Sequence, residues 1–145
     1  MTPFDARLKH VPGLLGVLWQ HRSGHWWDDL KIMVRMTRRG CVRAVCDDTR
    51  LAGFILCTGP ELHALYVHPR AQGQGVGRLL LQDAKRERDR LNLWVAEENT
   101  GGRRFYYRHG FAEKTRADGA ENDEGRPEIL MVWPPERRVE PRVDS

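Results

Sequence analysis

The stretch Val67-His-Pro-Arg-Ala-Gln-Gly-Gln-Gly-Val-Gly-Arg-Leu-Leu-Leu81 constrains this chain more than any other. An apolar run stops at a proline, passes through alternating glycines and resumes as an apolar helical pattern. The pattern predicts a strand, an anion-binding turn and a helix N-terminus. Gly73, Gly75 and Gly77 leave the backbone bare, so successive N–H groups can converge on a phosphate oxygen without a Cβ in the way. The helix adds its unpaired first-turn donors and the positive end of its dipole. A bound phosphate or pyrophosphate is the expectation.

Strands lead into this turn. From Gly40 the apolar period switches to two: Cys41–Cys46, a polar turn at 47–50, and Leu51–Cys57 read as an antiparallel hairpin. A second turn at Thr58-Gly-Pro60 is followed by Glu61–Val67, so three consecutive antiparallel strands end at the glycines. Beyond them, Val76, Leu79, Leu80 and Ala84 form a buried helical stripe, and Arg86–Arg90 reads as its solvated end. Leu91–Ala96 reads as a strand, Arg103–His109 as a helix ended by Gly110, and Phe111–Arg116 as another strand. An acidic loop at 117–127 precedes the last strand, Glu128–Trp133. The class is α/β (α+β), with a mixed, mostly antiparallel sheet flanked by helices.

The N-terminal part reads less sharply. Leu8, Val11, Leu14, Leu15, Leu18 and Trp19 have helical spacing, and a helix is expected from about Pro12. A first strand is hard to find in residues 1–10, which makes the N-terminal sheet edge short or absent. His21 and His25 flank Ser23-Gly24 and read as loop residues, with no third ligand in sight, so no metal site is expected. Trp26–Met36 reads as a second helix whose Trp26, Leu30, Met33, Val34 and Met36 pack onto the sheet or, in part, wall a substrate cleft.

Length and charge exclude several classes. The 145 residues fit one domain, taken as 1–135, with a charged, aperiodic tail at 136–145 expected to be mobile. The net charge is +4, but 24 basic side chains are interspersed with 20 acidic ones, which does not form a nucleic-acid stripe. Cys41, Cys46 and Cys57 lie in strands without zinc-ligand spacing and read as reduced core residues. No signal peptide and no run of 18 apolar residues is present, so the expected setting is cytoplasmic, without membrane contact.

Two phosphate-binding patterns fail on this turn. A nucleotide P-loop needs Lys and Ser or Thr after its last glycine, where this chain has Arg78-Leu79. A dinucleotide fingerprint follows the first strand of a parallel βαβ unit, which three antiparallel strands upstream do not supply. The chain instead resembles the GNAT superfamily of acyl-CoA-dependent N-acetyltransferases. Gln72-Gly-Gln-Gly75-Val-Gly77 matches the family's (Gln/Arg)-x-x-Gly-x-(Gly/Ala) turn, preceded by Val67-x-Pro69. Asn99-Thr-Gly-Gly-Arg-Arg-Phe105-Tyr106-Tyr-Arg-His-Gly110-Phe111 matches its Asn-x-x-Ala-x-x-Phe-Tyr-x-x-x-Gly-Phe segment. The order of elements agrees from about residue 41 to 133. Gly102 departs from the family's Ala, a change that costs a helix interior roughly 1 kcal/mol.

The resemblance implies the GNAT fold, splayed at strands 4 and 5, and acetyl-CoA as co-substrate. It implies the pyrophosphate on backbone groups of Gln72, Gly73, Gln74, Gly75, Val76, Gly77 and Arg78. The pantetheine arm would pair with Leu65, Tyr66 and Val67 like an added strand, and Asn99 would hydrogen-bond it. Arg70, Arg78 and Arg103 are candidates for the 3′-phosphate. Tyr106 matches the phenol that protonates the departing thiolate, with Tyr107 as its neighbour in the register. Glu61 is the candidate general base and His63 the second candidate. Asp118, Asp123 and Glu124 are candidates for holding a cationic acceptor. The implied reaction is direct attack of a primary amine on the thioester in a ternary complex, by a monomer or homodimer. A small amine or amino-acid-like metabolite is the expected acceptor. The alternatives are a protein N-terminal or lysine acetyltransferase, and a non-catalytic acyl-CoA-binding module.

Overall fold

Alternating apolar residues at Val42, Ala44, Phe54 and Leu56 fold as the predicted hairpin and carry the core of the first half of the chain. The computed structural model describes residues 2–10, 12–14, 26–48, 50–119 and 125–135. The chain divides into two compact units, Met1–Asp89 and Arg90–Ser145. No helix among the described residues is long and apolar enough to cross a membrane.

In the N-terminal unit, β1 (Phe4–Asp5), β2 (Val42–Cys46), β3 (Leu51–Thr58) and β4 (Glu61–Val67) form an antiparallel meander in that order. β1 is two residues long, which is why alternation could not reveal it. Residues 12–14 are helical, while Val11, Leu15, Leu18, Trp19, His21 and His25 lie outside the described residues. Helix α1 spans Trp26–Arg38. Its Met33 is buried in a cluster with Val42, Ala44, Phe54 and Leu56, and Leu30, Val34 and Met36 pack against that cluster. The expected packing of Trp26 falls outside the described side chains.

Helix α2 (Val76–Arg86) packs on the other sheet face, burying Val76, Leu80, Leu81 and Ala84. The predicted stripe is right in its i, i+4, i+8 row. Its flank is Leu81, however, while Leu79 is half-buried. The charged segment 86–90 is exposed as expected except at Arg88, which is half-buried. The Arg88 guanidinium folds back to donate to the Gly59 carbonyl at 2.7 Å and the Ala84 carbonyl at 3.2 Å. On β2, Arg43 reaches Asp83 of α2 through two hydrogen bonds of 2.9 and 3.0 Å, and Asp5 of β1 at 3.0 Å. These bonds raise its already high pKa, so one half-buried cation ties two strands and a helix together.

In the C-terminal unit, β5 (Leu91–Ala96), β6 (Ala112–Ala117) and β7 (Glu128–Trp133) make an antiparallel sheet with β7 in the middle. Helix α3 spans Thr100–Arg108. It starts three residues before the predicted boundary, because Gly101-Gly102 suppress both propensity and periodicity while Asn99 supplies the cap. At its other end the Gly110 N–H donates to the Tyr107 carbonyl at 3.2 Å and the Phe111 N–H to the Tyr106 carbonyl at 3.0 Å. Gly110 has φ +87. This is a Schellman motif, and its usual apolar contact is the Phe111 ring against Tyr106, with centroids 5.3 Å apart. Phe111 is therefore used by the helix cap, and β6 begins one residue later than predicted.

Replacing Phe54, which has no exposed surface, by Ala should destabilise the protein by about 3–5 kcal/mol, read as a lowered urea midpoint. Gly110→Ala should cost about 1–2 kcal/mol because a Cβ is placed in left-handed backbone. Fluorescence-monitored urea unfolding checks this, and a wild-type midpoint would contradict the cap.

Candidate active site

Gly53 decides how closely the candidate cofactor residues of the N-terminal unit are held. A Cβ on Gly53 would lie 2.6 Å from the Tyr66 carbonyl oxygen, 3.1 Å from Val76 Cγ1 and 3.4 Å from Leu80 Cδ1. The bare backbone lets the end of β4 and the first turn of α2 press against β3 together. The sequence reading missed this residue. Its signal was a lone glycine inside a strand pattern, which marks close backbone approach.

β4 delivers Leu65, Tyr66 and Val67 in register with Ile55, Phe54 and Gly53. The His68 N–H then donates to the Ala52 carbonyl at 2.7 Å, and Pro69–Ala71 form one 3-10 turn. Gln72 donates from Nε2 to the Val67 carbonyl and Gln74 from Nε2 to the Arg70 carbonyl, each at 3.4 Å. Their amides thus brace the turn from outside. Gly73 and Gly75 have φ +79 and +81 with open space where a Cβ would be. Gly75 caps α2 with no side-chain hydrogen bond, and the helical ladder begins with the Leu79 N–H on the Gly75 carbonyl at 3.0 Å. The N–H groups of Val76, Gly77 and Arg78 therefore precede the ladder. Donors without a side-chain cap, beside glycines in left-handed backbone, make an anion cradle.

The three candidate arginines differ in their engagements. Arg70 pairs with Asp47 at 3.0 Å and donates to the Leu51 carbonyl at 2.8 Å, tying the turn to the β2–β3 loop. Arg103 holds Glu113 and donates to the Glu97 carbonyl at 3.0 Å, tying α3 to β6 and to the end of β5. Arg78 is exposed on the first turn of α2, next to the cradle.

Glu61 and His63 lie at the opposite end of β4. A bulge interrupts the register: Leu56 pairs with Ala64 but Cys57 with Leu62, which makes His63 the inserted residue. Parity changes across a bulge. Glu61, opposite Thr58, therefore falls on the sheet face of Ala64 and Tyr66, where simple alternation would put it with Leu65. Thr58 Oγ1 and His63 Nε2 share a hydrogen bond, so both candidate bases gather around Thr58. Both are exposed.

In the C-terminal unit, Asn99 caps α3, its Oδ1 accepting from the Gly102 N–H at 3.0 Å. A Cβ at Gly102 would stand 2.6 Å from Asn99 Nδ2. The glycine that departs from the family's Ala is thus the one that admits this side-chain position. Tyr106 is half-buried between Phe105 and Phe111, with ring centroids 5.2 and 5.3 Å away. Tyr107 is 46% exposed. Burial and the Glu113 carboxylate raise the Tyr107 pKa against the opposing Arg103. The same contacts, from Tyr107 first and then Arg103, lower the Glu113 pKa. Tyr107 therefore belongs to a surface cluster with Arg103 and Glu113. Asp118 is exposed at the end of β6, and Asp123 and Glu124 lie outside the described residues. Cys57 is buried, which raises its pKa to about 11, while Cys41 and Cys46 are half-buried thiols.

Comparisons with known proteins identify the family. The family model for the acetyltransferase (GNAT) domain matches residues 19–113. The peptidyl-lysine N-acetyltransferase YiaC of Escherichia coli is 33% identical over 141 residues, covering 90% of this chain and 94% of that protein. The peptidyl-lysine N-acetyltransferase YjaB of Salmonella typhimurium is 32% identical over 91 residues; the match spans 63% of this chain and 63% of that protein, under two thirds of its length. Among solved structures, a GNAT-family acetyltransferase from Bacillus cereus superposes with TM-score 0.79 at 16% identity, over 90% of this chain and 94% of that one. The PaiA N-acetyltransferase of Thermoplasma acidophilum, in complex with coenzyme A, gives 0.70 at 18% identity over 90% and 96%. The chain belongs to the GNAT family of acetyltransferases, whose acetyl donor is acetyl-CoA, and it has the GNAT fold.

Gly53→Ala should weaken coenzyme A binding about tenfold or more, by pushing the Tyr66 carbonyl away from β3. Calorimetry on the folded variant checks this, and wild-type affinity would remove β4 and the α2 N-terminus from the cofactor site.

Proposed function

We propose that this chain transfers the acetyl group of acetyl-CoA to the side-chain amine of lysine in polypeptides, by direct attack in a ternary complex. One observation carries the choice of acceptor: a peptidyl-lysine acetyltransferase matches almost end to end at 33% identity. Lysine takes the place of the small amine that compactness alone suggests. Both units serve one acetyltransferase domain, residues 1–135, because the family match at 19–113 runs through the boundary at 89–90.

In this reading the pyrophosphate accepts hydrogen bonds from the backbone of residues 72–78, with Arg78 taking the 3′-phosphate. Arg70 and Arg103 keep their structural pairs. The pantetheine arm leaves the cradle, pairs with Val67, Tyr66 and Leu65, and runs toward the bulged end of β4. Its thioester is thereby carried toward Glu61 and His63. Either of these removes the proton from the lysine ammonium, and the free amine attacks the thioester carbon. The C–N bond forms, the C–S bond breaks, the thiolate takes the proton of the Tyr106 phenol, and the second proton lost by the amide nitrogen returns to the phenolate through solvent. Asn99 donates to the cofactor arm through Nδ2 while its Oδ1 stays on the helix cap. Tyr106 is favoured over Tyr107 as the acid because it is the tyrosine that stands in the register Phe-Tyr-x-x-x-Gly-Phe.

Tyr106→Phe should lower kcat about 100-fold or more while leaving acetyl-CoA affinity within a few-fold of wild type, and Tyr107→Phe should leave kcat close to wild type. Steady-state kinetics with lysine peptides and a small-amine panel, together with acetyl-CoA titration, check both the acid and the acceptor. An unchanged kcat for Tyr106→Phe removes it from the acid role. Turnover confined to small amines removes lysine as the acceptor.

A further inference from the structure

Helix α1 carries a groove that the acetyl-CoA site does not use. It measures about 510 Å³ and is lined by Leu30, Lys31, Val34, Arg35, Arg38 and Arg39. The positions recur in pairs one turn apart, so they form one stripe along the helix. Leu30 and Val34 are half-buried against the core and make an apolar floor, while the four cations are exposed. Among the described residues no carboxylate lines the groove. The ion pairs seen among the described residues engage Arg43, Arg70, Arg103, Arg116 and Arg126, and none of these four.

We propose that this groove binds an acidic stretch of the polypeptide that presents the acceptor lysine. The proposal rests on the lysine reading above and gives it a substrate class. Three observations support it. Four exposed cations favour an anionic occupant, and three of them are arginines, whose planar forks take carboxylates in pairs. The stripe runs about 12 Å along the helix, the length of about four residues of extended chain. The apolar floor of Leu30 and Val34 suits the methylene and Cβ groups of a peptide. The groove also belongs to the helix that covers the sheet face of Tyr66, Ala64 and Glu61. A peptide held there lies on the side of the sheet where the candidate base stands.

The test compares the full chain with Arg35→Glu/Arg38→Glu and with Arg35→Lys/Arg38→Lys. Two lysine peptides are used, one with Asp and Glu flanking the lysine and one with Ser and Gly. In the wild type the acidic peptide should have the lower KM, by about tenfold. In the charge-reversal variant the ratio of kcat/KM between acidic and neutral peptides should fall about tenfold, mainly through KM, and the lysine variant should recover most of it. Equal KM values for the two peptides in the wild type, or a ratio that survives charge reversal, overturns the proposal. Binding is read separately by fluorescence anisotropy with a labelled, lysine-free Asp/Glu peptide and a labelled RNA oligonucleotide of equal charge. Peptide binding lost on charge reversal, in a protein that acetylates no lysine peptide, sustains the groove and overturns the lysine reading. RNA binding at least tenfold tighter than the peptide overturns the groove's assignment to a polypeptide.

Discussion

The approach of three backbone segments at Gly53 is the constraint on which the N-terminal unit depends. The Tyr66 carbonyl and the Val76 side chain occupy the space a Cβ would need, so β4 and α2 are placed relative to β3 by the absence of one atom. Everything assigned to the cofactor in this unit follows from that placement. The last residues of β4 set where a pantetheine arm can pair, and the capless start of α2 sets where a pyrophosphate can rest. The Arg43–Asp83 bonds act at the far end of the same helix. α2 is thus pinned near both ends, by packing at one and by charge at the other. Its dipole end cannot swing away from the glycine turn without breaking one of them.

In the C-terminal unit the packing problem is different, the orientation of the phenol proposed as the acid. Tyr106 lies in the last turn of a nine-residue helix, too short to be stable alone. Each end of that helix is closed, by Asn99 on the Gly102 N–H and by Gly110-Phe111 in the Schellman motif. The spacing Phe-Tyr-x-x-x-Gly-Phe therefore has a physical meaning. The tyrosine occupies the position whose carbonyl receives the final N–H, and the last phenylalanine packs on its ring. The paired charges around this helix, Arg103 with Glu113 and Arg116 with Glu97, each join a half-buried partner to an exposed one near the surface and contribute little stability. Together they tie α3 and β6 to the end of β5, where Asn99 follows.

The features legible in the sequence are those encoded by backbone chemistry. The hairpin of β2 and β3, the strand feeding the glycines and the Gly110 cap depend on period-two apolar residues, proline and glycine, whose meaning is local. The features that escaped depend on neighbours distant in sequence. Gly53 looks like any strand glycine until β4 and α2 arrive beside it. The bulge at His63 is set by how β3 and β4 align, so the parity of Glu61 could not be read from alternation. β1 has two residues and exists only because β2 offers an edge. The start of α3 was hidden because a capped helix tolerates two glycines that propensity counts against it.

The same division separates donor from acceptor. Acetyl-CoA is a fixed molecule, and backbone N–H groups can hold it almost without regard to side chains, so glycine and turn patterns suffice to announce it. An acceptor polypeptide of the kind proposed would be chosen by side chains on an exposed helix face. There any sequence with adequate helix propensity folds equally well, and Lys31, Arg35, Arg38 and Arg39 are not dictated by the fold. Cations toward a helix C-terminus are favoured by its dipole, which accounts for some basic character. It does not account for their gathering on one stripe with an apolar floor. The fold leaves those four side chains free to be selected by what they touch, and their shared charge is what makes an acidic polypeptide the proposed partner.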